Sequence, residues 1–309
     1  MQIFKTEKNV LRELDEIEDG AWIHLVNPQE AEMHFLSEKL GIELIHLKAA
    51  LDEEERARIE FEDAYTLIIV DTPILGHDET GNKYTTLPMG IILTSKNIIT
   101  VSIKDLQLFK EFHGGYVRDF YTEKKTRFIL QMLYRNATFF LNYLRHIDRM
   151  STKIERELHK SLKNKELIQL LELEKSLVYF TTSLKGNEVV LEKLLRQENV
   201  KKYPEDKELL EDVIVENRQA IEMANIYSNV LNGVMGAFAS VISNNLNIKM
   251  KFLTAITIVM SIPTMISSFF GMNVNIPLAH NSNAFIIIGI ISILLAAATG
   301  GYLAKRKLF

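Results

Sequence analysis

Hydrophobic and polar positions change their period twice along this chain. From about Trp22 to Val101, short β-rich runs ("AWIHLV", "AYTLIIVDTPIL", "MGIILTSKNIITVSI") alternate with stretches of helical spacing ("PQEAEMHFLSEKLG", "LIHLKAALDEEERARIEF"). That alternation predicts an α/β domain, with "TSKN" as a hairpin turn. After about Val117 apolar positions recur by three and four, interrupted mainly around "LKNKE" and "NVKKYPED", which predicts long helices. No proline falls between Pro204 and Pro263. One helix over that interval has about 59 residues and a length of roughly 90 Å. Such a helix cannot bury all its faces alone, so it needs neighbours from its own chain and from other subunits.

Toward the C-terminus charge disappears. The run "FLTAITIVMSIPTMISSFF", between Lys251 and Gly271, is uncharged, and its about nineteen residues suffice to cross a hydrocarbon core of roughly 30 Å. A second run, "AFIIIGIISILLAAATGGYLA" from Ala284 to Ala304, is of similar length. Two such runs in an otherwise charged chain predict membrane spans rather than a buried hairpin. Lys249 and Lys251 precede the first, and Lys305, Arg306 and Lys307 follow the second. The positive-inside rule then puts both termini in the cytosol of a cell-membrane protein. "VLNGVMGAFASVIS" is apolar too, but it is short and bounded by asparagines. It reads as the crowded part of a helical stalk just inside the membrane.

The predicted organisation is an α+β cytosolic domain over 1–116, a long-helix stalk over 117–250 and a first span over 251–270. An outer loop over 271–283, a second span over 284–304 and a basic cytosolic tail over 305–309 complete it.

Composition narrows the function. Hydrophobic residues make up 47% of the chain beside 25% charged ones, so apolar material has to be concentrated, as the two spans concentrate it. The net charge of -4 argues against a nucleic-acid binder. Cysteine is absent, which excludes disulfides, thiolate metal sites and thiol catalysis. The eight histidines are scattered without HExxH or another close ligand pair, and no phosphate-binding glycine loop occurs, so an enzyme is not expected. The opening "MQIFKTEKNVLRELDEIEDG" lacks the apolar core of a signal peptide, and the N-terminus is expected to stay in the cytosol.

The first span carries a pattern that the second lacks. With Thr254 at 0° and an advance of about 100° per residue, Thr257, Ser261, Thr264 and Ser268 fall within a sector of about 80°. Met250 shares that sector, while Asn247 and Leu253 flank it. For any one hydroxyl, bonding back to a helix carbonyl or to a neighbouring helix is the simpler account. The aligned stripe as a whole, ending at the polar cluster "SSFFGMNVNIP", reads as a pore lining.

Gly271-Met272-Asn273 between two C-terminal spans resembles the signature of the CorA family of magnesium transporters. Around it, "SNNLNIKMKFLTAITIVMSIPTMISSFFGMN" is similar to the family's pore helix over its entire length. "WIHLVNPQEAEMHFLSEKLGI" and "LKAALDEEERARIEFEDAYTLIIV" stand where the family carries comparable segments. The resemblance implies a funnel-shaped homopentamer in a lipid bilayer, with the first spans around a central pore and Mg²⁺ as both transported and regulatory ion. It assigns Gly271, Met272 and Asn273 to a selectivity filter, in which a ring of Asn273 amide oxygens accepts hydrogen bonds from the water shell of the ion. It also implies divalent ions bound between adjacent cytosolic domains. There Asp212 stands at the family's stalk-helix acid with Glu216 one turn on, and Glu62 or Asp63 in "FEDAY" is the candidate on the α/β side.

Three departures accompany the resemblance. Phe270 replaces the family's common tyrosine, Pro263 lies one position later than the proline of many relatives, and the loop "VNIPLAHNSN" has no acid. Alternatives remain a zinc, cobalt or nickel transporter of the same architecture, with His280 in the outer loop leaving proton coupling open, and a membrane-tethered helical scaffold or receptor.

Overall fold

The computed structural model describes residues 1–7, 10–78, 81–161, 164–198, 203–272, 274 and 283–306. Seven strands form one sheet: β1 (Gln2–Glu7), β2 (Val10–Glu13), β3 (Trp22–Val26), β4 (Arg58–Phe61), β5 (Tyr65–Asp78), β6 (Gly81–Thr94) and β7 (Ile98–Ser102). Their order is β2-β1-β3-β7-β6-β5-β4, with β3 and β7 parallel and the other pairs antiparallel. Helices α1 (Glu30–Leu40) and α2 (Leu44–Ala49) join β3 to β4, and α3 (Gln107–His113) follows β7. Three long helices come next, α4 (Lys125–Ser161), α5 (Asn164–Leu195) and α6 (Pro204–Phe270), before α7 (Ala284–Lys305). The chain divides into two compact units, Met1–Val234 and Met235–Phe309.

In the first unit the sheet is covered on both faces, which is why its inner strands read as nearly continuous apolar runs. Trp22, Ile68, Val70, Met89, Ile91 and Ile98 pack with residues of α3, α4, α5 and the start of α6. The alternate residues Ile23, Leu25, Leu67, Ile69, Ile92 and Ile99 pack with α1 and α2. Two positions show why glycine is needed here. Gly41 ends α1 at φ 67°, in the left-handed region that a side chain resists. A Cβ on Gly90 would lie 2.9 Å from the Ala50 Cβ, so a side chain on β6 would push away the turn after α2.

Polar clamps set the register of the helical layer. Asn187 Oδ1 accepts from the Asp71 backbone N–H at 2.8 Å. The side-chain amides of Asn136 and Asn187 both donate to the Asp71 carbonyl, at 2.8 and 2.9 Å. Together they tie α4 and α5 to β5. Asn217 on α6 donates to the Leu184 carbonyl at 3.0 Å, and Arg218 meets Glu188 at 2.8 Å. These contacts, with buried Leu210, Val213 and Ile214, fix one face of the first turns of α6 and leave Asp212 exposed on another.

The buried pair Trp22 and His24 shares one hydroxyl: the indole N–H donates to Thr100 Oγ1 at 2.8 Å, and His24 Nδ1 lies 2.9 Å from the same oxygen. Burial, and next the neighbouring His113, lowers the His24 pKa from 6.5 to about 4. Below pH 6.5 the unfolded chain protonates this imidazole while the folded chain does not, so stability is full above pH 6.5 and falls as pH drops toward 4. The loss at the low end of that window is about 3 kcal/mol. His113, also lowered by burial, adds a loss of the same sign. Urea unfolding of the full chain in detergent, read by Trp22, the single tryptophan, is expected to show a lower midpoint at pH 4.5 than at pH 7. His24→Gln should remove most of that difference. An unchanged pH dependence in this variant would contradict the assignment.

Candidate ion pathway and cation sites

In the second unit, α6 continues through the first apolar run to Phe270, and α7 carries the second. Both are long and apolar enough to cross a membrane, and both are largely uncovered by the rest of the chain. Where they meet, α6 offers buried Ala255 and half-buried Val259, Ile262 and Ile266, while α7 offers buried Ser292 and Leu303. Small residues allow this approach: a Cβ on Gly300 would lie 3.7 Å from Val259 Cγ2. Ser292 keeps its hydroxyl internal, donating to the Ile288 carbonyl at 2.7 Å.

On the same wheel that puts Thr254 at 0°, the residues covered by α7 span about 80° to 140°. The polar stripe runs from about -80° to 0°, so its centre lies about 150° around the helix from the covered face. Thr254, Thr257, Thr264 and Ser268 are exposed in the single chain, and Ser261 is half-buried. Asn247, Met250 and Leu253 are exposed as well. A groove of about 250 Å³ beside Leu303 is lined in part by Asn247, Met250 and Thr254, on the flank between the two faces.

The hydroxyls do bond back. Thr257, Ser261 and Thr264 donate to the carbonyls of Leu253, Ile258 and Met260 at 2.9, 2.8 and 3.1 Å. This uses the hydroxyl proton and leaves oxygen lone pairs outward. A row of acceptors suits an ion whose bound waters donate. Pro263 sits inside α6 and withholds the N–H that the Val259 carbonyl would otherwise receive.

The helix ends in a turn at the signature triplet. The Gly271 N–H donates to the carbonyls of Ser267 and Ser268 at 2.9 and 3.3 Å, and the Met272 N–H to that of Phe269 at 3.4 Å. A Cβ on Gly271 would sit 3.2 Å from the Ser267 oxygen, a tight contact that glycine avoids. Asn273 itself, His280 with most of the loop between α6 and α7, and Lys307 lie outside the described residues.

Of the acids proposed as ligands, Glu62, Asp63 and Asp212 are exposed and Glu216 is half-buried. Among the described residues, His46, Glu60 and Glu62 form the group of three potential metal donors. Asp212, Glu216 and Asp63 do not join it. His46 and Glu60 were not legible as partners, because β-strand alternation pairs Glu60 with Glu62 but says nothing of a histidine from a separate helix.

The family model for the CorA-like Mg²⁺ transporter protein matches residues 18–306. The chain belongs to this family. A curated relative, the cobalt/magnesium transport protein CorA of Methanocaldococcus jannaschii, is 30% identical over 277 residues, covering 85% of this chain and 83% of the relative. The complete structure of the CorA magnesium transporter from the same organism superposes with a TM-score of 0.84 at 26% identity, over 99% of this chain and 97% of that one. The cytoplasmic domain of ZntB from Vibrio parahaemolyticus, at 12% identity and a TM-score of 0.61, covers 79% of this chain and 97% of its own. That likeness shows the fold alone. This CorA-family chain is thus a membrane protein with two C-terminal spans and a divalent-cation transporter, not an enzyme.

Proposed function

We propose that the chain assembles as a homopentameric Mg²⁺ channel in the cell membrane, with both termini cytosolic and the first span of each subunit lining a shared pore. The observation that carries this reading is the placement of the stripe. Thr254, Thr257, Ser261, Thr264 and Ser268 lie about 150° around α6 from the face that α7 covers, so the chain's own second span leaves four of them exposed and Ser261 half-buried. Lipid is a poor neighbour for a row of polar groups. Copies of α6 around a water-filled axis satisfy it. Asn247, Met250 and Leu253 continue this lining inward, and Gly271, Met272 and Asn273 form its outer mouth.

The domain plan belongs to the same reading, with 1–116 as the α/β domain, 117–250 as the stalk and 305–309 as a basic tail. Cytosolic Mg²⁺ then acts as a brake. Asp212, supported by Glu216, meets Glu62 or Asp63 of a neighbouring subunit, and like charges there repel until an ion bridges them. The M. jannaschii relative, named for both cobalt and magnesium, favours Co²⁺ as a second cargo.

Two leucine substitutions test the register. Thr264→Leu is expected to reduce Mg²⁺ flux into liposomes severalfold more than Ile258→Leu, since Ile258 lies about 40° or more outside the polar sector. Equal effects would contradict the assignment of the lining.

A further inference from the structure

The geometry points to a transition-metal site inside a single chain, built by His46, Glu60 and Glu62, that takes Zn²⁺, Co²⁺ or Ni²⁺ in preference to Mg²⁺. One donor atom from each residue lies within 4.8 Å of the other two. Ligands at about 2.0–2.2 Å around one ion stand about 3 to 4.4 Å apart. His46 Nε2 and Glu60 Oε2 already meet that spacing at 3.1 Å. Glu62 is exposed, so a rotamer adjustment of its carboxylate closes the set.

The surrounding contacts orient the donors. His46 Nδ1 lies 2.7 Å from the Tyr65 hydroxyl, which turns Nε2 toward the carboxylates. The Tyr65 hydroxyl is itself held, accepting the Glu43 backbone N–H at 3.2 Å. Glu60 Oε1 receives the Arg58 Nε–H, leaving Oε2 to face the histidine. Arg58 is braced in turn by Glu55. His46 and Glu60 therefore each have an outer partner, as metal ligands characteristically do. Glu60 and Glu62 follow each other at i and i+2 on β4 and the turn after it, which puts both carboxylates on one side of the strand.

Without a metal, Nδ1 is hydrogen-bonded with the Tyr65 hydroxyl and Nε2 faces Glu60 Oε2. With one, the imidazole proton sits on Nδ1 and is donated to the Tyr65 oxygen, while Nε2 binds the ion. A nitrogen donor decides the class of ion: imidazole suits Zn²⁺, Co²⁺ and Ni²⁺, whereas Mg²⁺ favours oxygen ligands and keeps its waters. All three ligands come from one subunit, and where Glu62 serves this site the bridge proposed at Asp212 falls to Asp63.

The test uses untagged full-length protein in detergent, with Co²⁺ as probe in the presence of excess MgCl₂. Equilibrium dialysis and the visible absorption of Co²⁺ are expected to report one nitrogen-ligated ion per chain that Mg²⁺ does not displace. His46→Gln and Glu62→Gln should each weaken it by about 10-fold or more. Asp212→Ala should leave it unchanged, which separates failure here from failure of the gating proposal. Glu62→Gln alters an exposed side chain, and an unchanged thermal melt will show that its fold is intact. Wild-type Co²⁺ binding in Glu62→Gln, or displacement of the ion by Mg²⁺, would reduce His46 and Glu60 to a hydrogen-bonded pair and overturn the proposal.

Discussion

Asn273→Ala is expected to abolish Mg²⁺ transport while the protein assembles in the membrane with normal stability. The reason lies in the ion. Mg²⁺ demands near-ideal octahedral geometry at about 2.0–2.1 Å and dehydrates reluctantly. Stripping its shell at the pore entrance would make entry slow. Amide oxygens arranged in a ring can accept hydrogen bonds from the coordinated waters instead, holding the hydrated ion weakly enough for it to leave. Asn273 stands three residues beyond the last residue of α6, Phe270, and the turn at Gly271 and Met272 precedes it. A helix continued to this point would aim the amide about 140° from the centre of the stripe. Alanine removes the acceptor and keeps the turn. The outer loop carries no acid to substitute for it. Flux into liposomes, with the oligomer size and melting temperature of the variant measured beside it, checks both halves. Transport at the normal rate would refute the filter.

Asp212 should produce the largest regulatory effect. Its α6 neighbours Leu210, Val213 and Ile214 are buried in the core of the first unit, while Asp212 itself is exposed. That leaves its carboxylate for a partner other than its own core. An ion bound only in the closed, symmetric state stabilises that state by about 2.7 kcal/mol at a hundredfold excess over its dissociation constant. Asp212→Ala removes a ligand and is expected to keep transport running at internal Mg²⁺ levels that silence the wild type. Asp212→Lys is expected to act in the opposite sense, because a fixed positive charge facing the neighbouring carboxylates mimics the ion. Mg²⁺ should also slow proteolysis of the stalk in the wild type, and do so less in the alanine variant. Unchanged Mg²⁺ sensitivity of flux and of cleavage in both variants would make Asp212 a solvated surface acid.

Much of this fold was legible because the forces that shape it leave periodic traces. "YTLIIV" and "MGIIL" read as strands since both faces of β5 and β6 are buried. The turn in "TSKN" is closed by Thr94 Oγ1, which accepts from the Asn97 N–H at 2.8 Å. The absence of proline between Pro204 and Pro263 made a helix of about 59 residues legible, but α6 runs on through Pro263 to Phe270, 67 residues in all. Strands β1 and β2 were not legible: β2 has no fully buried residue and β1 only two, so neither carries a two-residue period strong enough to separate from a polar leader. The pore stripe could be drawn on a helical wheel, but the side that α7 covers could not, because Ala255, Val259 and Ile262 look like any lipid-facing set. His46 was invisible as a ligand for a different reason. The strand pair Glu60 and Glu62 and the helix bearing His46 meet through tertiary packing across Tyr65, and no local spacing encodes that.

The most direct measurement of the central claim is cation-resolved uptake by wild-type protein in liposomes, with internal Mg²⁺ clamped either low or high. A Mg²⁺ channel with a cytosolic brake predicts rapid, saturable Mg²⁺ entry at low internal Mg²⁺ and its arrest at high internal Mg²⁺. No Mg²⁺ entry at low internal Mg²⁺, or entry that is indifferent to the internal concentration, would contradict it.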